Sequence, residues 1–227
     1  MYRKEFYVLD RKTPISAVIR NYNEEDFDDL IAVQQESFPH PFPSDLWWKK
    51  EQLRNHVELF PQGALCAEIG GKMAGSMTAH LVHFQQDDPD HTWEEVTDGG
   101  YIRNHQPDGN SLYVVDICVR PSYRKLGIGK CLMNSMYEIV VHHGLERLIG
   151  GGRMPGYHEK CSSHTPEAYL ESIVKGEFHD PVITFLMSCG RVPVKVVENY
   201  LEDEESRNCA VLMEWRNPFG KGMKPCL

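Results

Sequence analysis

The sequence predicts a single α+β domain, with a mixed and largely antiparallel sheet of six or seven strands flanked by helices. Three observations predict it. Strand-like and helix-like segments succeed one another without strict βαβ alternation and without the short, even spacing of an all-β chain. One strongly apolar strand, residues 111–120, runs straight into a glycine-containing loop and an amphipathic helix. With 227 residues, 41% of them hydrophobic, the chain can bury a sizeable core, and it has no repeat or linker that would divide it.

The elements follow in order. Residues 1–15 read as an N-terminal arm without strong periodicity, and residues 16–227 as the domain, beginning with a strand at 16–22. Asn23 then caps a helix whose first turn, Glu24, Glu25 and Asp26, suits the positive end of the helix dipole and which runs to Pro39. A second helix is expected over 44–59, capped by Ser44, with Leu46, Trp47, Leu53 and Val57 on its apolar face. Strands at 64–69 and 72–84 meet at Gly70-Gly71, a good hairpin turn. Residues 85–110 are polar, and so long a connection between strands is usually functional or mobile. After the apolar strand come a helix over 127–143, a strand at 147–151 and a short helix at 166–174. Asp180-Pro181 opens a further helix that stops at Gly190. Two closing strands, 192–200 and 208–215, flank a very acidic loop.

Composition narrows the function. No apolar run approaches the ~20 residues of a membrane span, and the N-terminus has no signal-peptide core, so a cytoplasmic protein is expected. Seven cysteines, including Cys66, Cys118, Cys131 and Cys161, lack any paired spacing and read as reduced thiols. A net charge of −9 argues against a nucleic-acid binder and mildly favours a cationic substrate such as an amine.

The chemistry sits in residues 113–130. The strand ends in Val119-Arg120-Pro121, and Arg124-Lys125-Leu126-Gly127-Ile128-Gly129-Lys130 then opens the helix. Glycines let the backbone turn tightly and approach a ligand, and the first helix amides have no intrahelical partner. Such a helix start binds anions, a diphosphate above all. A dinucleotide loop would need a third glycine where Leu132 stands, and the mononucleotide pattern GxxxxGK[ST] is missing as well.

Arg124-x-x-Gly127-x-Gly129, with the strand before it and the helix after it, resembles the acetyl-CoA motif of the GNAT acetyltransferases. The likeness covers roughly residues 16–216. The segments around Tyr101, Tyr113, Gly152–Arg153 and Asp180-Pro181 look like the GNAT modules found fused to carbon–nitrogen hydrolases. The resemblance implies an α/β/α GNAT fold whose sheet is splayed at the acyl-CoA-binding strand. The pantetheine arm would pair with main-chain groups of Ile117, Cys118 and Val119, the Val119 amide would polarise the thioester carbonyl, and the pyrophosphate would sit on the amides of residues 125–130. Acetyl-CoA is the implied co-substrate, and no metal is expected. The expected partners are a small-molecule amine or amine-bearing acceptor and, as one option, a second copy of the chain, with neither nucleic acid nor membrane.

The reaction, acyl transfer to an amine in a ternary complex, needs the amine deprotonated, the carbonyl polarised and the departing thiolate protonated, although a free CoA thiol is only modestly basic and can leave without an acid. Asp116 is the candidate general base: simple strand alternation puts it on one face with Leu112, Val114 and Cys118, a polar exception among apolar neighbours. The other reading is a structural aspartate bonding loop amides. GNAT enzymes often carry a tyrosine, as general acid, four residues before the glycine that ends the later helix; here that position is Leu186. Tyr157, with His158, is the candidate substitute, and an exposed loop tyrosine is the alternative. The missing phenol leaves open a non-catalytic acyl-CoA-binding regulatory module. His158, Cys161 and His164 have metal-like letters without a fourth ligand, and His80 and His83 would face opposite ways on a strand. Trp47-Trp48 read as packing in the region that borders the acceptor site in this fold, which Trp93, Glu94 and Glu95 could also wall.

Overall fold

The computed structural model describes residues 1–85 and 90–220; within the polar connection, residues 86–89 lie outside the described residues, as does the end of the expected domain beyond 220. Among the described residues eight strands, rather than six or seven, form one open sheet: β1 (Arg3–Asp10), β2 (Thr13–Asn21), β3 (Ala64–Ile69), β4 (Lys72–Val82), β5 (Ser111–Val119), β6 (Arg147–Arg153), β7 (Val192–Val197) and β8 (Ala210–Arg216), in the order β1-β2-β3-β4-β5-β6-β8-β7. Every neighbouring pair is antiparallel except β5 and β6.

The extra strand is the expected arm. Residues 3–10 pair with β2 along their whole length, from Arg3 opposite Arg20 to Asp10 opposite Thr13. Periodicity hides this strand because both its faces carry apolar residues: Val8 is buried, whereas Tyr7 and Leu9 are exposed on the sheet edge. Tyr2 anchors it: its hydroxyl donates to Glu138 (2.6 Å) and lies 2.9 Å from Ser135 Oγ, both on the helix after β5.

Among the described residues, six α-helices accompany the sheet: α1 (Phe27–Ser37), α2 (Lys50–Leu59), α3 (Trp93–Thr97), α4 (Ile128–His142), α5 (Pro166–Val174) and α6 (Ile183–Ser188). Asn23 caps not α1 itself but a 3-10 turn, Glu24–Asp26, that leads into it, accepting from the Glu25 amide at 2.9 Å; α1 then starts at Phe27 with no side-chain cap. The second helix is shorter than expected. Ser44–Leu46 make only a 3-10 turn, because Trp47 is extended and the Trp48 amide donates to the Gln34 side chain. Helix α2 begins at Lys50, where the Gln52 side chain reaches back to the Lys49 amide at 2.8 Å. The polar connection contains α3, closed by a reciprocal cap in which the Glu95 amide donates to Thr92 Oγ1 and the Thr92 amide donates to Glu95.

At the β5–β6–β8 end, hydrophobic clusters take alternate residues of the same strands. Leu112, Leu148 and Val211 belong to the main core, whereas Tyr113, Ile149 and Leu212 form a second cluster. Both faces of the sheet are therefore covered there.

Candidate functional site

Two irregularities of β5 create the site. The first is a fork. Strands β5 and β6 pair in parallel only from Ser111–Arg147 to Tyr113–Ile149, then part, while β5 stays bonded to β4 as far as Val119. Residues 114–119 are thus left without a strand partner on the β6 side, where unpaired main-chain groups can meet a ligand. The second is a bulge. Thr78 lies opposite Asp116 but Ala79 lies opposite Val114, so Val115 is an extra residue in β5. This overturns the simple alternation: Leu112 and Val114 share a face with Leu81 and Ala79, whereas Asp116 and Cys118 lie with Thr78 and Ser76 on the other face. The Trp93 indole of α3 donates to the Val115 carbonyl at 3.0 Å, so part of the polar connection is fastened to the bulge.

A cavity of about 840 Å³ fills the fork and extends to the start of α4. Of the residues expected at the site, Asp116, Ile117, Cys118, Val119, Arg124, Lys125, Gly127, Ile128, Gly129 and Lys130 all line it. Leu126 instead packs its side chain against the core. Tyr157 does not line the cavity either: its ring is buried and its hydroxyl donates to the His164 carbonyl at 3.1 Å, which removes it as a candidate acid. Trp48 and Trp93 line the cavity, so the aromatic residues of α2's approach and of α3 wall it as well as pack.

The loop has anion-binding geometry. Gly127 caps α4 with φ +84, a left-handed conformation that glycine adopts without strain. The first intrahelical bond runs from the Cys131 amide to the Gly127 carbonyl at 3.1 Å, so the amides before it have no intrahelical acceptor. A Cβ on Gly129 would stand 2.9 Å from the Phe185 ring, so this glycine lets α6 close over the loop. Arg124 holds the loop rather than presenting its charge: it donates to the carbonyls of Val119 and Ser37, each at 3.1 Å. A helix start at one end of the cavity and an unpaired strand edge at the other fit a molecule with a diphosphate and an amide-bearing arm, which describes coenzyme A.

Asp116 stands inside the fork. Its Oδ2 is out of solvent and has no hydrogen-bond partner, although the residue as a whole is only partly covered. Burial raises its carboxyl from 3.8 to about 7, against the opposing pull of the Cys118 thiol and Ile117 amide. Beneath it runs a buried polar chain: Thr78 and Tyr22 share a hydrogen bond of 2.9 Å, and Tyr22 lies 2.9 Å from His56 Nδ1. His56 Nε2 lies 2.7 Å from the Gly100 carbonyl, which makes Nε2 the protonated nitrogen, and burial lowers this imidazole to about 4. The ring is neutral, and Tyr22 donates to its Nδ1.

The other wall of the fork was not foreseen. Arg191 donates to the carbonyls of Gly150 and Met213, and burial lowers its guanidinium to about 10. Arg153 lies in a bidentate pair with Asp203 (2.7 Å for each bond), with Glu205 at 2.9 Å and the Phe42 ring 4.8 Å away. Tyr200 completes this wall. The acidic loop supplies the partners of Arg153, a signal that charge patterning carries only when β6 and the β7–β8 connection are known to meet. No group of potential metal ligands occurs among the described residues, and no described helix is long and apolar enough to cross a membrane.

Comparisons with known proteins agree with this geometry. The model of the "Acetyltransferase (GNAT) family" matches residues 27–155. The "Uncharacterized N-acetyltransferase YkwB" of Bacillus subtilis is 54% identical over 218 residues, 96% of each chain. The "Probable hydrolase YhcX" of the same organism is 39% identical over 88% of this chain, which spans only 38% of that longer protein. Among solved structures, the loading GNATL domain of CurA from Lyngbya majuscula superposes with a TM-score of 0.74 at 21% identity, covering 88% of this chain and 98% of that one. The GphF GNAT-like decarboxylase in complex with isobutyryl-CoA gives 0.71 at 21% identity, with the same coverage. Family model, close relative and fold concur, and the chain belongs to the GNAT acetyltransferase family as one of its acyltransferases.

Proposed function

We propose that the protein transfers an acyl group, acetyl in the simplest case, from acyl-CoA to a primary amine bound beside it, with Asp116 as general base. The observation that carries this reading is the unpartnered Oδ2 of Asp116 inside the fork, beyond the loop that fits the diphosphate. A carboxyl that titrates near 7 is half ionised at neutral pH, which suits a group that takes a proton from an ammonium or amine. The open edge of residues 117–119 would hold the pantetheine arm, and the amides at the start of α4 the pyrophosphate. The isobutyryl-CoA in the GphF complex supports an acyl-CoA donor for this fold. The net charge of −9 supports a cationic acceptor.

One observation favours a second reading. Leu186, at the position where the family resemblance leads one to expect an acid tyrosine, is buried and lines the cavity with no proton to give. A non-catalytic acyl-CoA-binding module would have the same feature. The test is a titration of acetyl-CoA against ATP and NAD by calorimetry, followed by a screen of amines for release of free thiol. Selective CoA binding with thiol release establishes the transferase. Binding with no release on any amine favours the module, and absence of CoA selectivity removes both readings.

A further inference from the structure

The β6 wall of the fork carries a phenol that the motif does not announce. Tyr200 lies over Gly151, whose amide donates to the Tyr200 hydroxyl at 3.3 Å. A Cβ on Gly151 would come within 2.3 to 2.6 Å of the Tyr200 ring and hydroxyl, so a glycine is what admits the phenol here. Gly151 stands two residues beyond the last β5–β6 pair, Tyr113–Ile149, and lines the same cavity as Asp116. The Tyr200 hydroxyl is 2.8 Å from that of Tyr113, and the Tyr113 hydroxyl is 2.9 Å from His91 Nε2. Tyr200 lines the cavity, Tyr113 is fully buried, and His91 is half-buried on the segment entering α3.

This row can point all its protons one way. His91 Nε2–H donates to Tyr113, and the Tyr113 hydroxyl donates to Tyr200. With the Gly151 amide, that fills the acceptor side of Tyr200 and turns its own O–H toward the cavity. We propose that Tyr200 is the general acid that protonates the departing CoA thiolate, with Tyr113 and His91 as the relay that restores its proton. The proposal rests on the acyl-transfer reading and supplies the acid that Leu186 cannot. In the step, the amine nitrogen bonds to the thioester carbonyl carbon and its proton passes to Asp116. The C–S bond breaks with its electron pair on sulfur, and sulfur takes the Tyr200 proton. Tyr200 regains a proton from Tyr113, Tyr113 from His91, and His91 from solvent, while Asp116 releases its proton to solvent. Burial keeps Tyr200 protonated by raising its phenol, while Tyr113, Gly151 and the buried Arg191 guanidinium oppose that rise and favour a transient phenolate.

Tyr200→Phe tests this, because it keeps the ring over Gly151 and removes only the proton. Calorimetry with CoA should show affinity within about threefold of wild type, since a single peripheral hydrogen bond is at stake. Ultraviolet titration of the bound CoA thiol should show a pKa about one unit higher in the variant, because a hydroxyl donor favours thiolate. With any amine that supports turnover, kcat should fall about 100-fold. Tyr113→Phe should slow kcat about tenfold and leave CoA affinity unchanged; a wild-type rate there removes the relay. Equal thiol pKa in wild type and Tyr200→Phe overturns the proposal even if no acceptor is found. Failure of the wild type to bind CoA overturns it too, by removing the acyl-transfer reading on which it stands.

Discussion

The two strands that part at Tyr113 and Ile149 build the walls of the cavity by different means. The β5 wall is local in sequence: strand, bulge, glycine loop and helix start are consecutive, and its binding groups are mostly main-chain amides and an open strand edge. The β6 wall is assembled from distant segments. Arg153 meets Asp203 and Glu205 across about 50 positions, Gly151 meets Tyr200 across 49, and Arg191 reaches Gly150 across 41. Its groups are side chains that depend on one another for charge and position. Under the proposed acyl transfer the labour divides accordingly: donor binding falls to a wall of main-chain groups that tolerates few changes, and the proposed acid to a wall of side chains that can diverge residue by residue.

The sharpest way to break that division is at Asp116, the β5-wall residue assigned to proton transfer. Asp116→Asn should lower kcat by about 10² to 10⁴ with CoA affinity nearly unchanged, as expected of a lost general base. A comparable loss of CoA binding would instead make Asp116 part of the donor wall. The wild-type kcat/KM should rise with pH through about 7, and the variant should lose that limb. Stability gives an independent check. Because burial raises this carboxyl from 3.8 to about 7, the folded protein holds a proton that the unfolded chain has released between those values. The group's contribution is therefore complete below about 3.8 and is lost as pH rises through about 7. Thermal melts of Asp116→Asn should lack that part of the decline.

Next in size is the donor wall itself. Gly129→Leu forces a side chain into the place of the Phe185 ring, which a Cβ alone would already crowd at 2.9 Å. CoA affinity should fall about 100-fold, or roughly 2.7 kcal/mol, by calorimetry. Retained affinity would show that α6 does not close over the loop in the bound state. The smallest effect is expected at Arg124→Ala. Its guanidinium is engaged by two carbonyls, of Val119 and Ser37, so the variant should lose about 1 kcal/mol of stability in urea titration and only a few-fold in CoA affinity. A loss as large as that of Gly129→Leu would mean that the guanidinium swings onto the phosphates.

Much of the β5 wall was legible because its chemistry is consecutive. The run from Tyr113 to Lys130 states a buried strand, a turn and a helix start in reading order, and local backbone physics is enough to make an anion site of it. The bulge at Val115 was not legible: alternation assigns Asp116 to the face of Val114, and only pairing with β4 reveals the extra residue that turns it to the face of Thr78. Strand β1 was missed for a related reason, since Tyr7 and Leu9 put apolar residues on its exposed side and blur the period of two. Tyr157 stood in the right kind of loop, but the path of that loop spends its hydroxyl on His164.

Residue order thus carried the family motif, the order of most elements and the position of the donor loop, because each is written in residues that lie near one another along the chain. The tertiary structure alone decided that the sheet parts after Tyr113, that Asp116 enters the fork with one oxygen unpartnered, and that Tyr200 rather than Tyr157 faces the cavity. Those facts depend on which distant segments share a wall. A side chain's partners across 40 to 90 positions are set by the register of the sheet and the closure of loops, as in the 87-residue separation of Tyr113 and Tyr200 and the 41-residue separation of Gly150 and Arg191.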